Sequence, residues 1–293
     1  MRRIITLLYI AVVSAALTGN TYASFPGEVR WHNETADTTK INRILIDASN
    51  LADKTPNELM AYIGMRFEGT PYVAGTLEGD PEMLTVNLDE MDCTTFVETV
   101  SAMALTIKER RNSWQDFLYN LEQLRYRQGR INGYASRLHY ISDWIVDNTH
   151  RGNLRDITDR LPGAKYQIKT IDYMSRHRDS YPAMKDDATF EGIKNSEVGY
   201  RSHRYPYIRR SALMTKKAPF WIKEGDIIAF TTKIEGLDVT HIGIVMLKDG
   251  VPHLLHASSK LGKVVLDPTP LSEYLSKNNS ITGARFIRIG EQR

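Results

Sequence analysis

The first part of the chain carries apolar residues at helical spacing. Residues 55–58 are Thr-Pro-Asn-Glu, a capping box with proline at the first helical position. Leu59, Ile63 and Phe67 follow on one stripe. We therefore expect a helix that begins after the capping box and ends near Gly69, where a turn follows.

A second apolar stripe begins directly after a cysteine. Apolar side chains recur at helical spacing between residues 94 and 107 and predict an amphipathic helix from Thr94. Asp92 suits the N-cap, which places Cys93 at the N-terminal end of this helix. Cys93 is the only cysteine in the chain, so it is either a small buried residue or a reactive thiol.

From residue 225 onward the pattern changes to the period of two that is typical of strands. We expect one short helix at residues 271–275 and five strands, at residues 226–230, 241–247, 254–258, 263–267 and 284–289. Helices followed by a run of antiparallel strands indicate an α+β domain. In this fold class the N-terminal helices pack on one side of a C-terminal antiparallel sheet.

The hairpin between the second and third of these strands relates the histidines to one another. Asp249 and Gly250 form a two-residue turn. Pairing the strands backward from that turn places His241 and His256 on the same face as diagonal neighbours, with His253 on the other face. A loop longer by one residue would move each side chain of the second strand to the opposite face of the sheet.

Residues 113–220 have a mixed pattern. Segment 133–140 and a helical stretch around Trp144 precede a polar region rich in lysine and aspartate. The basic and aromatic segment 200–205 has two interpretations, as the lining of a substrate groove or as the solvated face of a loop.

The N-terminus has the features of a secretory signal. Two arginines precede an apolar stretch at residues 4–17, and Thr21 and Ala23 occupy the positions that a signal peptidase reads. The apolar stretch is shorter than the roughly 20 residues of a membrane span. We expect a cleaved signal at residues 1–23 and one exported, periplasmic domain at residues 24–293, with an insertion at about 113–220.

Composition argues against several classes of partner. The net charge of +3 falls by two when Arg2 and Arg3 leave with the signal, so the mature chain is nearly neutral. Such a chain is not an obvious binder of nucleic acid or of a membrane surface. A chain of this length buries a sizeable core without a metal. We expect no cofactor, no nucleic-acid partner, no membrane insertion and a monomer.

A cysteine at a helix N-terminus and two histidines on one sheet face suggest a thiol nucleophile. The helix terminus and a neighbouring imidazolium lower the pKa of a thiol from about 8.5, so we expect a thiolate at neutral pH. His241 would take the thiol proton, His256 would orient His241, and the N–H of Cys93 would donate to an oxyanion. Spacing alone equally allows a buried structural cysteine and two unrelated histidines.

Four segments resemble, in order, the marker segments of the NlpC/P60 superfamily of papain-like cell-wall hydrolases. The resemblance implies a papain-like fold, with Cys93 as nucleophile, His241 as base and His256 as third catalytic member. Tyr72 would lie at the oxyanion and substrate end. The matching segments are Gly-Thr-Pro-Tyr at 69–72, Asp-Cys-Thr-Thr-Phe-Val at 92–97, His-Ile-Gly-Ile-Val at 241–245 and Leu-His-Ala-Ser at 255–258.

Two departures from the common pattern point to one branch of that superfamily. Thr94 and Thr95 replace the usual Ser-Gly, and more than a hundred residues separate the cysteine helix from the strands. With the insertion segments 125–127 and 136–140, these features resemble the branch once called DUF1460, described as N-acetylmuramoyl-L-alanine amidase-like. The resemblance implies hydrolysis of the amide between the muramic acid lactyl group and L-alanine in peptidoglycan fragments.

Four residues join Tyr72 as candidates for substrate contact. Arg137 and His139 suit the carboxylates and hydroxyls of a muropeptide, but they equally suit a structural role that holds the insertion onto the core. Asp92 is either a helix cap or a substrate contact. Thr94, beside the nucleophile, completes the set.

Three other functions stay open at this point. The same mechanism could cut the γ-D-glutamyl-diamino acid bond, as ordinary members of the superfamily do. A wall-binding protein could keep the fold without turnover. A zinc enzyme using His139, His241 and His256 is a third alternative, although no His-x-x-x-His pair or cysteine cluster supports it.

Overall fold

The computed structural model of the chain describes residues 27–290, so the signal expected at residues 1–23 lies outside the described residues. The helices are α1 Glu34–Ser49, α2 Pro56–Met65, α3 Cys93–Lys108, α4 Trp114–Arg125, α5 Ile141–Arg151, α6 Tyr173–Arg176, α7 Asp187–Val198, α8 Arg210–Leu213 and α9 Leu271–Lys277. The strands are β1 Val29–Trp31, β2 Leu84–Val86, β3 Leu154–Asp156, β4 Lys165–Lys169, β5 His203–Arg209, β6 Ile227–Thr232, β7 Val239–Lys248, β8 Val251–Ser258, β9 Lys263–Leu266 and β10 Ile281–Ile289. Between residues 27 and 290, none of the helices has the length and apolar character needed to cross a membrane.

Both helices predicted before the insertion are confirmed. The backbone N–H of Thr55 donates to the Glu58 carboxylate at 2.9 Å, and Thr55 Oγ1 accepts the N–H of Glu58 at 3.3 Å, which closes the capping box of α2. The chain then turns to Gly69, whose φ of 92° favours glycine. Asp92 caps α3, and Cys93 is its first residue.

Eight strands form a sheet in the order β4-β5-β10-β6-β7-β8-β9, with β3 also paired to β10. All pairs in this sheet are antiparallel, whereas β1 and β2 form a separate parallel pair. Strands β6 to β10 are the five that the sequence predicts. The α+β class with an antiparallel sheet is therefore confirmed.

Both faces of the central strands are buried. One face packs on the N-terminal helices in a core that contains Phe96, Ile244 and Leu255. On the opposite face, Leu254 lies in a second core together with Leu271 of α9. Because β7 is covered on both sides, it is a continuous apolar run rather than a strict alternation. The N-terminal helices therefore pack on one face of the sheet, as predicted, and α9 covers the other face.

The segment at 113–220 is built into the core and into the sheet. Helix α4 packs on α3, and α5 is the helix predicted around Trp144. Strands β3, β4 and β5, which the pattern did not predict, extend the sheet beyond β10. A third apolar cluster lies within this segment, and its fully enclosed members include Ile171, Met174, Met184 and Ile193.

A buried ion pair joins this segment to the cysteine helix. Arg125 Nε lies 2.7 Å from Glu98 Oε2, and the two side chains are 2% and 3% exposed. Arg125 also donates to the carbonyl of Thr85 at 2.7 Å, so α3, α4 and β2 meet at one guanidinium. Burial raises the pKa of Glu98, and Arg125 opposes that shift. Removing either partner would leave the other charge buried and unpaired.

We expect Arg125→Met to lower the free energy of unfolding by about 3 kcal/mol, because Glu98 loses its counter-charge inside the core. Urea denaturation followed by circular dichroism measures this effect. The matched control is Arg110→Met, which removes an ion pair with Asp53 whose side chains are 73% and 89% exposed. The control should change stability by less than about 1 kcal/mol. Equal effects of the two variants would contradict a special role for the buried pair.

Candidate active site

The N-terminus of α3 fixes the position of Cys93. Asp92 Oδ1 accepts the backbone N–H groups of Thr94 and Thr95 at 3.0 and 2.8 Å. Thr95 Oγ1 in return accepts the N–H of Asp92 at 2.9 Å, which completes a capping box. The capping interpretation of Asp92 is therefore confirmed. The N–H of Cys93 belongs to the first turn of α3, where backbone donors have no acceptor within the helix.

The predicted hairpin register is confirmed, and it brings the two histidines together. Lys248 pairs with Val251 and Ile244 pairs with Leu255. His241 Nε2 lies 2.6 Å from His256 Nδ1, within hydrogen-bond distance. Their rings are 4.8 Å apart and nearly perpendicular.

The rest of the hairpin agrees with this arrangement. His253 projects from the other face, and its Nδ1 lies 2.9 Å from the carbonyl of Asp267. Gly243 leaves room for the pair, because a Cβ there would come within 2.7 Å of Leu254 Cδ1 and 3.1 Å of His256 Cβ.

Asp267 continues the chain of polar groups beyond His256, and the sequence reasoning missed it. Its Oδ2 lies 3.5 Å from His256 Nε2. The other carboxylate oxygen accepts the N–H and hydroxyl of Thr269 at 2.9 and 2.6 Å, which fixes the carboxylate. Asp267 is thus placed to orient His256, as carboxylates orient histidines in catalytic triads.

This chain of contacts determines the ring tautomers. A carboxylate only accepts hydrogen bonds, so His256 presents N–H at Nε2 to Asp267 and a bare Nδ1 to His241. His241 then carries its proton on Nε2, which leaves Nδ1 as its basic nitrogen. The tautomers follow from the hydrogen-bond partners, and they give His241 the form that a proton acceptor needs.

The thiol lies at the beginning of β7. Cys93 Sγ accepts a hydrogen bond from the N–H of Ile242, the residue that follows His241. Phe230 and Tyr274 enclose the His241 ring, with ring centroids 6.3 and 6.4 Å away. The structure therefore pairs the two histidines and places the thiol against the backbone next to His241, while Cys93 keeps part of its surface exposed.

Burial controls the charge states of Cys93, His241 and His256. It raises the pKa of Cys93 to about 11, with a smaller contribution from the Asp92 carboxylate, against hydrogen bonds from Ile242 and Thr94. Burial also lowers the pKa of His241 to about 3 and that of His256 to about 4. At neutral pH the thiol is protonated and both imidazoles are neutral. The predicted thiolate is not the resting form, because desolvation outweighs the helix terminus.

Tyr72 lies close to the thiol because its segment is tied down on two sides. The N–H of Tyr72 donates to the carbonyl of Gly262 at 2.9 Å, and the N–H of Val73 donates to the carbonyl of Met91 at 3.2 Å. Burial raises the pKa of Tyr72, and the charges of Cys93 and Asp92 raise it further. Tyr72 therefore keeps its phenolic proton and can donate it in a hydrogen bond.

The two insertion candidates contact protein groups. The Arg137 guanidinium is buried and donates to Glu78 Oε1 at 2.7 Å and to the Leu77 carbonyl at 3.0 Å. His139 Nε2 lies 2.9 Å from the carbonyl of Tyr134, and the two rings are 4.5 Å apart. These contacts are the ones expected if Arg137 and His139 have a structural role. A role for either residue toward substrate stays a prediction.

A cavity of about 390 Å³ adjoins the histidines. Its lining includes His241, His256, Asp267 and Tyr274. Most of the other lining residues are polar: Thr240, Ser258, Ser259, Lys260, Thr269, Lys277, Asn278 and Ser280. The cavity is of a size that accepts a small polar molecule. Across residues 27–290, no three side chains of the metal-ligating types converge on one point.

Comparison with known protein families assigns the chain to a family of amidase-like proteins. The family model described as N-acetylmuramoyl-L-alanine amidase-like matches residues 62–282. No curated protein matches the chain.

Three solved structures share its fold. The crystal structure of an N-acetylmuramoyl-L-alanine amidase from Bacteroides uniformis is 41% identical, with a TM-score of 0.76, over 80% of this chain and 98% of that one. A structure named a putative xylanase, from Bacteroides fragilis, is 44% identical with a TM-score of 0.73, over 77% and 98% of the two chains. A Legionella pneumophila protein of the DUF1460 family is 24% identical with a TM-score of 0.65, over 88% and 97%.

The family match spans most of the chain and includes the thiol, both histidines and Asp267. The chain belongs to the N-acetylmuramoyl-L-alanine amidase-like family.

Proposed function

We propose that this protein is a cysteine amidase of the papain-like NlpC/P60 type, which hydrolyses the amide between N-acetylmuramic acid and L-alanine in muropeptides. One observation carries the mechanism: Cys93 opens α3 against the backbone N–H of Ile242, the residue that follows His241, and His241 Nε2 lies 2.6 Å from His256 Nδ1. Family membership and the Bacteroides uniformis structure named for this activity support the choice of bond.

In the proposed first step the thiol attacks while it loses its proton. His241 Nδ1 accepts the proton as Sγ of Cys93 bonds to the lactyl carbonyl carbon, and the carbonyl oxygen becomes an oxyanion. In this proposal the N–H of Cys93 and the phenol of Tyr72, which lies close enough to Cys93 for the thiol to raise its pKa, donate to that oxyanion. Proton transfer must accompany attack because the resting thiol is neutral.

The imidazolium formed on His241 is stabilised through the polar chain behind it. His241 donates to His256, whose Nε2 lies 3.5 Å from Asp267 Oδ2, so the new positive charge faces a fixed carboxylate. The imidazolium then protonates the nitrogen of L-alanine as the carbon–nitrogen bond breaks. Water hydrolyses the remaining thioester with His241 again as base, which regenerates the thiol and releases the lactyl carboxylate.

The proposal extends to the organisation and location of the protein. Residues 24–293 would form one catalytic domain in which the segment 113–220 shapes the substrate side. The apolar N-terminal stretch supports export to the periplasm, where muropeptides arise. The polar cavity beside the histidines favours a small soluble fragment as substrate.

Incubation of the protein with one defined muropeptide tests the reaction. We expect free stem peptide beginning with L-alanine, detected by mass spectrometry, and a loss of at least about a thousandfold in rate for Cys93→Ala. Cys93→Ser, which keeps the shape of the site, should be similarly impaired. A product with a dipeptide left on the sugar would identify a γ-D-glutamyl endopeptidase instead. Undiminished release by Cys93→Ala would rule out the thiol mechanism.

Alkylation of Cys93 by iodoacetamide tests the resting charge state. Because burial raises the pKa of the thiol to about 11, labelling should be slower than that of free cysteine at pH 7 and should keep rising above pH 9. Mass spectrometry of the intact protein measures the rate, and Cys93→Ala is the blank. A rate that levels off below pH 7 would show a preformed thiolate. Slow labelling is thus compatible with catalysis, and turnover is the decisive assay.

Asp267→Asn tests the polar chain. The side-chain oxygen of asparagine can still accept from Thr269, but its NH2 group would face His256. This arrangement favours the opposite tautomers of His256 and His241 from those that the mechanism needs. We expect kcat to fall on the order of a hundredfold with little change in KM. Asp53→Asn, at a side chain that is 89% exposed and lines neither cavity, is the control. An unchanged kcat would remove Asp267 from the mechanism.

A further inference from the structure

A second groove lies far along the sheet from the thiol, where α5 packs beside β3, β5 and β10. We call it the insertion groove; its volume is about 510 Å³. It shares no lining residue with the cavity beside the histidines. Its walls include Val146, Asp156, Tyr166, His203, Tyr205 and Arg285.

Three polar atoms in the wall of the insertion groove lack hydrogen-bond partners among the described residues. Tyr205 is 1% exposed and its hydroxyl is unpaired. Arg285 is 2% exposed, and its Nε is unpaired although its other nitrogens donate to Ser142 and Asp156. His203 Nε2 is the third such atom. Unpaired buried polar groups are rare because each loses its contact with water without replacement.

The charge states of these groups define the chemistry that would satisfy them. Burial holds the pKa of Tyr205 above its ordinary value, so the phenol keeps its proton. The Arg285 guanidinium is always charged. Burial and the charge of Arg285 lower the pKa of His203, which is therefore neutral. Arg285 Nε and the Tyr205 hydroxyl thus offer two donors to an acceptor oxygen, and the Asp156 carboxylate in the same lining balances the charge of Arg285.

The rim adds positive charge and the walls add apolar surface. Arg160 and Arg204 are exposed at the rim, and the Arg204 guanidinium lies 3.8 Å from the centre of the Tyr166 ring. The exposed Asp159 opposes one of these charges. Val146 is 41% exposed and provides apolar surface beside the buried donors. This combination fits a small molecule with a carboxylate and an apolar part.

We propose that the insertion groove is a second binding site, which accepts a short acylated peptide through its terminal carboxylate. The carboxylate would receive hydrogen bonds from the Tyr205 hydroxyl and Arg285 Nε, and the peptide's methyl groups would lie on Val146. This assigns segment 200–205, whose role the sequence left open, to the lining of a groove. The site goes beyond the proposed amidase reaction and requires no turnover.

Titration with N-acetyl-L-alanyl-L-alanine, followed by heteronuclear NMR of the full chain, tests this site. We expect saturable shifts for residues of the insertion groove in both the parent protein and Cys93→Ala. Tyr205→Phe should weaken binding about tenfold or more, because it removes a donor to a charged acceptor. The variant should not lower Tm, since it deletes a buried hydroxyl without a partner.

The matched control is Tyr207→Phe, which changes a half-buried tyrosine on the same strand that lines a different cavity. It should leave the titration unchanged. The C-terminal amide of the same peptide and the neutral disaccharide chitobiose should bind at least about tenfold more weakly. Equal binding of either compound, equal binding by Tyr205→Phe, or no saturable shift at millimolar peptide would overturn the proposal. None of these outcomes depends on which bond, if any, the thiol cuts.

Discussion

The register between β7 and β8 is the constraint on which the site depends. Side chains alternate between the two faces of a strand, so a slip of one residue would move His256 away from His241 and turn it toward α3. The Asp249-Gly250 turn prevents that slip, and the two cores on opposite faces of the sheet reinforce it, because each accepts only its own set of side chains. The short contact between the histidines is a consequence of this pairing.

Local sequence signals predicted much of the framework, and long-range contacts account for what they missed. The caps at Thr55 and Asp92 and the hairpin turn specify structure within a few residues, and all three are observed. Asp267 was missed although a signal was present: its N–H bonds to Leu254, two residues from His256, so extending the β8 to β9 pairing would have placed it beside that ring. Strand β4 escaped detection because it has only five residues, and its two alternating apolar side chains, Tyr166 and Ile168, are exposed rather than packed in a core.

The charge state of Cys93 shows a different limit of prediction from sequence. A helix terminus and a histidine are visible in a sequence, but the enclosure of a thiol by residues from distant elements is not. Here desolvation is the largest influence, and the nearby Asp92 carboxylate acts in the same direction. The same residue that caps the helix and so positions the thiol also disfavours its anion. In the proposed mechanism, positioning and activation of the thiol are therefore separate tasks, and activation is left to His241.

The segment that carries Tyr72 has a second consequence, for the outer border of the sheet. Gly69 and Thr70 exchange backbone hydrogen bonds with Val264, and Tyr72 bonds to Gly262, so the segment lies along β9, the last strand of its sheet. Exposed border strands are templates for pairing with other chains and so for aggregation. By occupying this border, the segment covers backbone groups that could otherwise pair with a strand of another chain. The same few residues thus cover the border of the sheet and position the tyrosine beside the thiol.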